Sequence, residues 1–280
     1  MNTAEVTSFS ACLITFNEEA NVSAALESVE FADEIVVVDS HSTDATRDIV
    51  AAFRGRSRSG AAVVPRLIER DWPGHVEQKN FAIDVASHDW VLCLDADERL
   101  SPQLREEVLD RLSQCSPDAV GFTMPRRTFY LGRWITTSGW YPDRKLRLFD
   151  RRAGRWGGTN PHDHVRVAGA IEALRGDLQH YSYKDMSDHL RTINFFTDIA
   201  AREKLRRGGG WPLFSMLTHP PMKFLKMYFL QRGFLEGVAG VLLAGLGALY
   251  VFLKYAKLWE LRSRQWKEDA IESSPPRLEP

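Results

Sequence analysis

The sequence predicts an α/β fold: a Rossmann-like, mostly parallel sheet flanked by helices, followed by a C-terminal helical region suited to a membrane surface. Three observations predict it. Short apolar runs at Ser10–Phe16, Glu34–Val38 and Trp90–Leu94 alternate with amphipathic stretches, and near-continuous apolar strands belong in sheets covered on both faces. Two of those runs stop abruptly at acidic residues, Asp39 and Asp95-Ala96-Asp97. The stretch from Phe234 to Leu253 is rich in Gly, Ala and Leu and carries one charge, Glu236.

The elements follow in order. After the first strand, Asn17 can cap a helix over EEANVSAALESVE, with Val22, Leu26 and Val29 on one face. After the second strand, SHSTDATRDIVAAF opens another helix, with Asp44 favourably placed against its dipole. RGRSRSG is a basic loop; strand-like AAVVPRLIE and a helix around GHVEQKNFAIDVAS then lead to the strand ending in Asp95. From about Val120 the chain turns rich in aromatics and arginine, and a helical stretch over Ser187–Arg207 is closed by three glycines. The expected organisation is a donor-binding half over 1–118, an acceptor-binding and catalytic half over 119–208, a helical region over 209–265 and a polar, Pro-rich disordered tail over 266–280.

Composition narrows the function. A formal net charge of −1 gives no global attraction for nucleic acid, and no recognition motif accompanies the local basic patches. Cys12, Cys93 and Cys115 fit neither a metal spacing nor a disulfide framework, which suits a reducing compartment. MNTAEVTSFS lacks the pattern of a secretory signal. No G-x-G-x-x-G turn follows a strand, which argues against a dehydrogenase. ITFNEEANV carries no Gly-rich loop either, which counts against a sugar-phosphate nucleotidyltransferase.

The acidic strand tips carry the chemistry. Residues two apart on a strand share a face, so Asp95 and Asp97 are expected to address one ligand. Carboxylates are hard donors for Mg²⁺ or Mn²⁺, commonly held by one or two of them together with substrate phosphates. Asp39, at the tip of a neighbouring strand, can accept hydrogen bonds from a uracil ring or a ribose hydroxyl. Asn17 and Glu18 are either capping residues or nucleotide contacts.

LITFNEEANV, VVVDSHSTDAT and WVLCLDADE, in this order and spacing, resemble the nucleotide-binding half of family 2 glycosyltransferases. The match covers roughly the first hundred residues, and three ordered motifs are far more specific than one. DWPGHVEQKNFAI, YPDRKLRLFDRR and PHDHV further resemble the bacterial subgroup that builds the lipopolysaccharide inner core, typically adding β-glucose to heptose. The resemblance implies a glycosyltransferase type-A fold, a UDP-sugar donor, Mg²⁺ or Mn²⁺, inversion at the anomeric carbon, and a lipid-linked saccharide acceptor at the cytoplasmic face of a bacterial inner membrane. It also implies that Asp39 contacts the uridine, Asp95 the ribose or sugar, and Asp97 the metal. Lys79 either approaches the donor phosphates or is an exposed helix lysine.

Inverting transfer requires a carboxylate opposite the leaving group to take the acceptor proton. Related subgroups carry a His-Glu pair where this chain has His162-Asp163, so Asp163 is the expected base, with the shorter reach of Asp, and Asp143 the runner-up. His162 is expected to orient the base or touch the acceptor. Arg144 and Arg147, among many arginines between 126 and 166, form either solvated strand faces or a rim for a phosphorylated acceptor. Gly237–Leu253 is uncharged, but its 17 residues reach only the lower edge of spanning length, and basic residues flank both sides. A surface-lying anchor is preferred over a spanning helix or an oligomer or core helix; Gly233, Gly237 and Gly240 would suit close helix packing. A non-catalytic membrane adaptor retaining the fold is the remaining alternative.

Overall fold

The computed structural model describes residues 7–58, 60–113, 119–159 and 162–272. The chain divides into two compact units: one runs to Tyr130 and resumes over Tyr141–Ser182, and the other comprises Leu131–Trp140 and the chain from Tyr183 onward. Along the chain the strands are β1 (Phe9–Thr15), β2 (Glu34–Asp39), β3 (Gly55–Arg56), β4 (Ala62–Val63), β5 (Arg66–Glu69), β6 (Trp90–Asp95), β7 (Glu98–Leu100), β8 (Ala119–Tyr130), β9 (Arg133–Trp134), β10 (Asp143–Asp150), β11 (Gly154–Thr159), β12 (His162–Val167), β13 (Ala170–Ala173) and β14 (Leu178–His180). The helices of the first unit are α1 (Val22–Ser28), α2 (Thr46–Ala52), α3 (His75–Val85) and α4 (Pro102–Ser113).

The first unit is built on a sheet of order β5-β2-β1-β6-β10-β8-β14-β7. From β5 to β6 every pairing is parallel. Beyond β6 the sheet is mixed: β10 runs antiparallel to both β6 and β8, whereas β13 and β14 run parallel to β8. The parallel half is thus the part drawn from the first hundred residues. Alternation along β1 divides the core: Phe9, Ala11 and Leu13 join Leu26, Val50, Leu104 and Val108 from α1, α2 and α4. Cys12 packs on the opposite face with Val36, Val91, Cys93 and Ile83 of α3. Cys12 and Cys93 are free and buried, as expected of small apolar residues; Cys115 lies outside the described residues.

Local caps differ from the sequence expectation. Helix α1 begins at Val22, with Asn21 at its N-cap, so Asn17 is not the cap; it sits at φ +55, in the left-handed region that Asn tolerates. Asp44 precedes α2 and accepts hydrogen bonds from the backbone and hydroxyl of Thr46.

The second unit is helical: α5 (Met186–Arg206), α6 (Pro212–Leu225), a π-helical turn over Lys226–Leu230, a 3₁₀ turn over Gly233–Glu236, and α7 (Val238–Glu272). Asp185 caps α5 by accepting from Asp188 N at 2.7 Å. The apolar run at 234–253 is therefore not one element. It breaks at Gly237, where φ is +59, and α7 continues well past Leu253. The single charge of that run, Glu236, is buried; its Oε1 accepts from the backbone and hydroxyl groups of Thr136 and Thr137, and Oε2 meets Arg133 at 2.9 Å.

Gly233 and Gly240 serve a contact within this unit: a Cβ on Gly240 would collide with the Gly233 carbonyl. Gly240→Ala is expected to destabilise the protein by about 1–3 kcal/mol, as overpacking does. Gly245→Ala, at an exposed α7 position with open space around the Cβ, is expected to be neutral or stabilising by up to ~1 kcal/mol. Equal thermal midpoints for the two variants would refute the close approach.

Candidate active site

The strand tips converge as the parallel topology requires. Thr15 pairs with Asp39 across β1–β2, and Ile14 pairs with Asp95 across β1–β6, so both carboxylates leave the sheet at one edge with β1 between them. Ligands of open parallel sheets bind at this edge.

Asp39 is buried and engaged: Thr15 Oγ1 donates to it at 2.7 Å, and Ser42 donates through its backbone N at 2.7 Å and its hydroxyl at 2.6 Å. Asn17 joins the same loops. Its backbone N donates to Ser42 Oγ and its side-chain oxygen accepts from Thr43 N, each at 2.8 Å. Glu18 N donates to Thr46 Oγ1 at 2.7 Å. These residues tie the β1–α1 and β2–α2 loops into one rim.

Asp95 and Asp97 separate. Strand β6 ends at Asp95 and Asp97 lies in the following turn, so the shared strand face expected from the i, i+2 spacing does not form. Asp95 faces two cations, Lys79 Nζ at 2.8 Å and Arg147 Nη2 at 2.8 Å. Burial alone would raise its carboxyl, but Lys79 and Arg147 outweigh that and hold it far below the usual carboxylate range. Asp97 faces His180 instead, with Oδ2 3.2 Å from Nε2. His180 arrives because β14 pairs with β7 in the register His180–Glu98, a long-range pairing that no local motif signals.

Lys79 is the centre of the arrangement. It projects from the buried face of α3 at 5% exposure, so the exposed-helix-lysine alternative does not hold. Its ammonium bridges Asp95 and Asp163, the latter at 2.7 Å, and lies 4.4 Å from the Trp156 ring centroid. Burial pulls the ammonium down, but Asp95 and Asp163 keep it above its ordinary value. Asp163 stands on β12, which pairs with β11 in a separate two-stranded sheet. That hairpin is clamped to α3 by Asn80, whose side-chain amide donates to Trp156 O at 3.0 Å and accepts from Trp156 N at 3.1 Å. Consecutive residues of one helix thus orient Asp163 and pin the hairpin that supplies it, through its other strand β11. His162 heads β12, and its side chain lies outside the described residues.

A second ionic layer lies beneath. Glu98 is fully buried; it receives Arg147 at 2.7 Å and Arg126 at 3.3 Å. Arg126 also binds Asp143 at 2.7 Å, and Asp143 meets Lys145 at 3.0 Å. Arg144 donates to Leu174 O at 3.0 Å. Lys79, Asp95, Arg126, Arg144, Arg147 and Asp163 line one cavity of about 610 Å³, a volume suited to a small-molecule substrate. Asp143 is not among its lining residues. Among the described residues no cluster of three or more His, Cys, Asp or Glu side chains is arranged to hold a metal. Asp97 with His180 is a smaller donor set, one carboxylate and one imidazole, that fits Mg²⁺ or Mn²⁺ completed by substrate phosphates.

Sequence reasoning missed Asn80, Glu98, Trp156 and His180, and named Arg126 only among the basic residues of an acceptor rim. Glu98 follows the acidic motif directly, and that adjacency was its one available signal. Asn80 adjoins Lys79; the others show their roles only through tertiary pairing.

A strand-tip acidic site on a sheet of this order, with an ion-paired carboxylate held over it from a hairpin, is consistent with the sugar-transferase resemblance of the sequence. The chain belongs to glycosyltransferase family 2: the family model described as Glycosyl transferase family 2 matches residues 10–172. It is 32% identical over 267 residues to the lipopolysaccharide core biosynthesis glycosyltransferase LpsC of Rhizobium meliloti, covering 94% of this chain and 97% of that one. It is 31% identical to the uncharacterized glycosyltransferase RT0209 of Rickettsia typhi, over 90% of this chain and 87% of that one. A solved structure of S. aureus TarS 1-349 in complex with UDP aligns over 92% of each chain at 14% identity and a TM-score of 0.46.

Proposed function

We propose that this glycosyltransferase moves a hexose, glucose first among the candidates, from a UDP-sugar to a lipid-anchored saccharide, the lipopolysaccharide inner core, with inversion at the anomeric carbon. The observation that carries the reading is the Lys79 bridge, which sets Asp163 across one cavity from the strand tip that bears Asp95. Residues 1–118 bind the donor, with Asp39, Asn17 and Glu18 forming the nucleotide rim and Asp95 beside the sugar. Residues 119–208 supply the acceptor face, where Arg144 lines the cavity. Asp163 takes the proton of the attacking hydroxyl while Lys79, 2.7 Å away, aims the carboxylate. Asp97 and His180 are the residues that would hold Mg²⁺ or Mn²⁺; such a cation, when bound, neutralises the departing diphosphate. The similarity to LpsC supports the acceptor class.

Residues 209–265 place the enzyme on the cytoplasmic face of a bacterial inner membrane as a peripheral or monotopic protein. Trp211, Phe214, Leu217 and Leu230 are exposed apolar side chains of this region. Helix α7 is long and apolar enough to cross a membrane over Val238–Ser263, with a mean hydropathy of 1.8. It also buries Leu243, Ala244, Tyr255 and Leu258 within the helical unit, and Lys257 meets Asp198 at 2.9 Å, which favours the surface-lying reading.

The deciding experiment is a donor screen with the full chain and bacterial membranes, scored by the mass shift of the lipid product. A hexose increment from a UDP-hexose supports the reading; UDP-sugar consumption with no modified lipid overturns the acceptor. Asp97→Asn is expected to lower kcat by roughly a hundredfold and to raise the Mn²⁺ concentration at half-maximal activity, with an unchanged circular dichroism spectrum. Wild-type metal dependence in that variant would refute its role as a ligand.

A further inference from the structure

The helical unit holds a cluster of lysines with no acidic partner among the described residues. Lys223 near the end of α6, Lys226 in the π-helical turn and Lys254 on α7 line one groove of about 500 Å³, together with Met222, Leu225, Leu230 and Val251. Other basic side chains of this unit are tied to carboxylates, as Arg133 is to Glu236 and Lys257 to Asp198. Among the described residues, none of the three groove lysines lies within ion-pair distance of an acidic side chain. Burial depresses Lys223 and Lys254 below the ordinary lysine value, and neighbouring lysines depress them further: Lys226 acts on Lys223, while Lys204 and Lys223 act on Lys254. Ammonium groups that repel one another in a partly desolvated groove are a site for an anion.

The surroundings identify which anion. The groove walls are apolar, and the same unit exposes Trp211 at 84%, Leu217 at 71%, Met222 at 64% and Leu230 at 81%. A soluble phosphate would gain nothing from such walls, whereas an amphiphile satisfies lysines and walls together. We propose that the groove formed by Lys223, Lys226 and Lys254 with Met222, Leu225, Leu230 and Val251 is a binding site for the headgroup phosphate of an anionic membrane phospholipid, whose acyl chains lie along the exposed apolar side chains. The proposal rests on the membrane-surface reading above and deepens it, by assigning the attachment to named groups and to lipid charge.

The test is co-sedimentation of the full chain with vesicles of phosphatidylcholine alone, or of phosphatidylcholine with about one-third phosphatidylglycerol, at near-physiological salt. The triple variant Lys223→Gln/Lys226→Gln/Lys254→Gln is compared with Arg54→Gln/Arg56→Gln/Arg175→Gln, which removes the same charge from exposed positions of the first unit. Wild type and the arginine variant are expected to prefer anionic vesicles. The lysine variant should lose that preference, with affinity falling on the order of a hundredfold at a few-fold per basic residue. Thermal unfolding and UDP binding by the lysine variant should remain as in wild type, which excludes misfolding. Equal loss in both triple variants would overturn the groove in favour of bulk charge. Strong wild-type binding to both vesicle types, unchanged in the lysine variant, would overturn the groove and leave the membrane reading standing. Binding to neither would overturn both. Lysine-dependent stabilisation by inorganic phosphate without vesicle binding would reassign the groove to a soluble anion.

Discussion

Asparagine in place of Asp163 is expected to lower sugar transfer by about 10²–10⁴-fold in kcat, the range a positioned general base contributes, while binding of UDP persists. The substitution keeps shape and leaves an oxygen to accept from Lys79, but removes the group that can take a proton. Lys79 retains Asp95 at 2.8 Å, so the buried ammonium is not stranded and the fold should survive. The measurements are a transfer assay beside calorimetric titration with UDP. Asp143→Asn is the control. Burial would raise Asp143, but Arg126 and Lys145 hold it below the usual carboxylate range, which weakens it as a proton acceptor. It is expected to retain most activity. If instead Asp143→Asn abolishes transfer and Asp163→Asn does not, the base is Asp143 and the Lys79 bridge is structural.

How much of this was legible depended on whether the partners were local. The strands ending at Asp39 and Asp95 could be read because a fully buried parallel strand is a continuous apolar run, and the residue that ends it stands at the ligand-binding edge. Spacing alone misjudged Asp97, because the strand stops at Asp95 and the turn redirects the next carboxylate toward His180. That partner lies 83 residues further on and is delivered by strand pairing, which leaves no local trace. Lys79 could be read as exposed or as functional, since α3 has little amphipathic contrast; its burial follows from the hairpin that packs over it, and the hairpin follows from Asn80. In the second unit, composition announced an apolar helix but not its break at Gly237. Nor could it show that Gly240 and Glu236 are consumed by contacts within the unit.

The division of labour among the acidic residues has an energetic logic. Asp95 and Glu98 flank the same Arg147 guanidinium, and neither is free to hold a cation by itself. Asp97 and Asp163, each with a single ionic partner among the described residues, are the carboxylates to which the proposed mechanism assigns the chemistry. The buried pairs therefore act as a frame around Asp97 and Asp163, and they should fail in a different way when broken.

That difference defines the second large effect. Arg147→Met is expected to cost about 3–5 kcal/mol of stability, the range found when one member of a buried ion pair is removed. Arg147 is 4% exposed, and its Nη2 serves both Asp95 at 2.8 Å and Glu98 at 2.7 Å. Methionine fills much of the volume but leaves Glu98, at 0% exposure, with Arg126 at 3.3 Å as its remaining ionic partner. Adding Glu98→Gln should recover part of the loss, because an uncharged side chain at 98 no longer requires a cation at 147. Urea unfolding of the two single variants and the double variant closes the cycle. A coupling energy below about 0.5 kcal/mol, the usual limit for independent sites, would show that the pair does not hold the frame. A large coupling, with Asp163→Asn leaving stability unchanged, would separate the residues that build the site from the one that moves the proton.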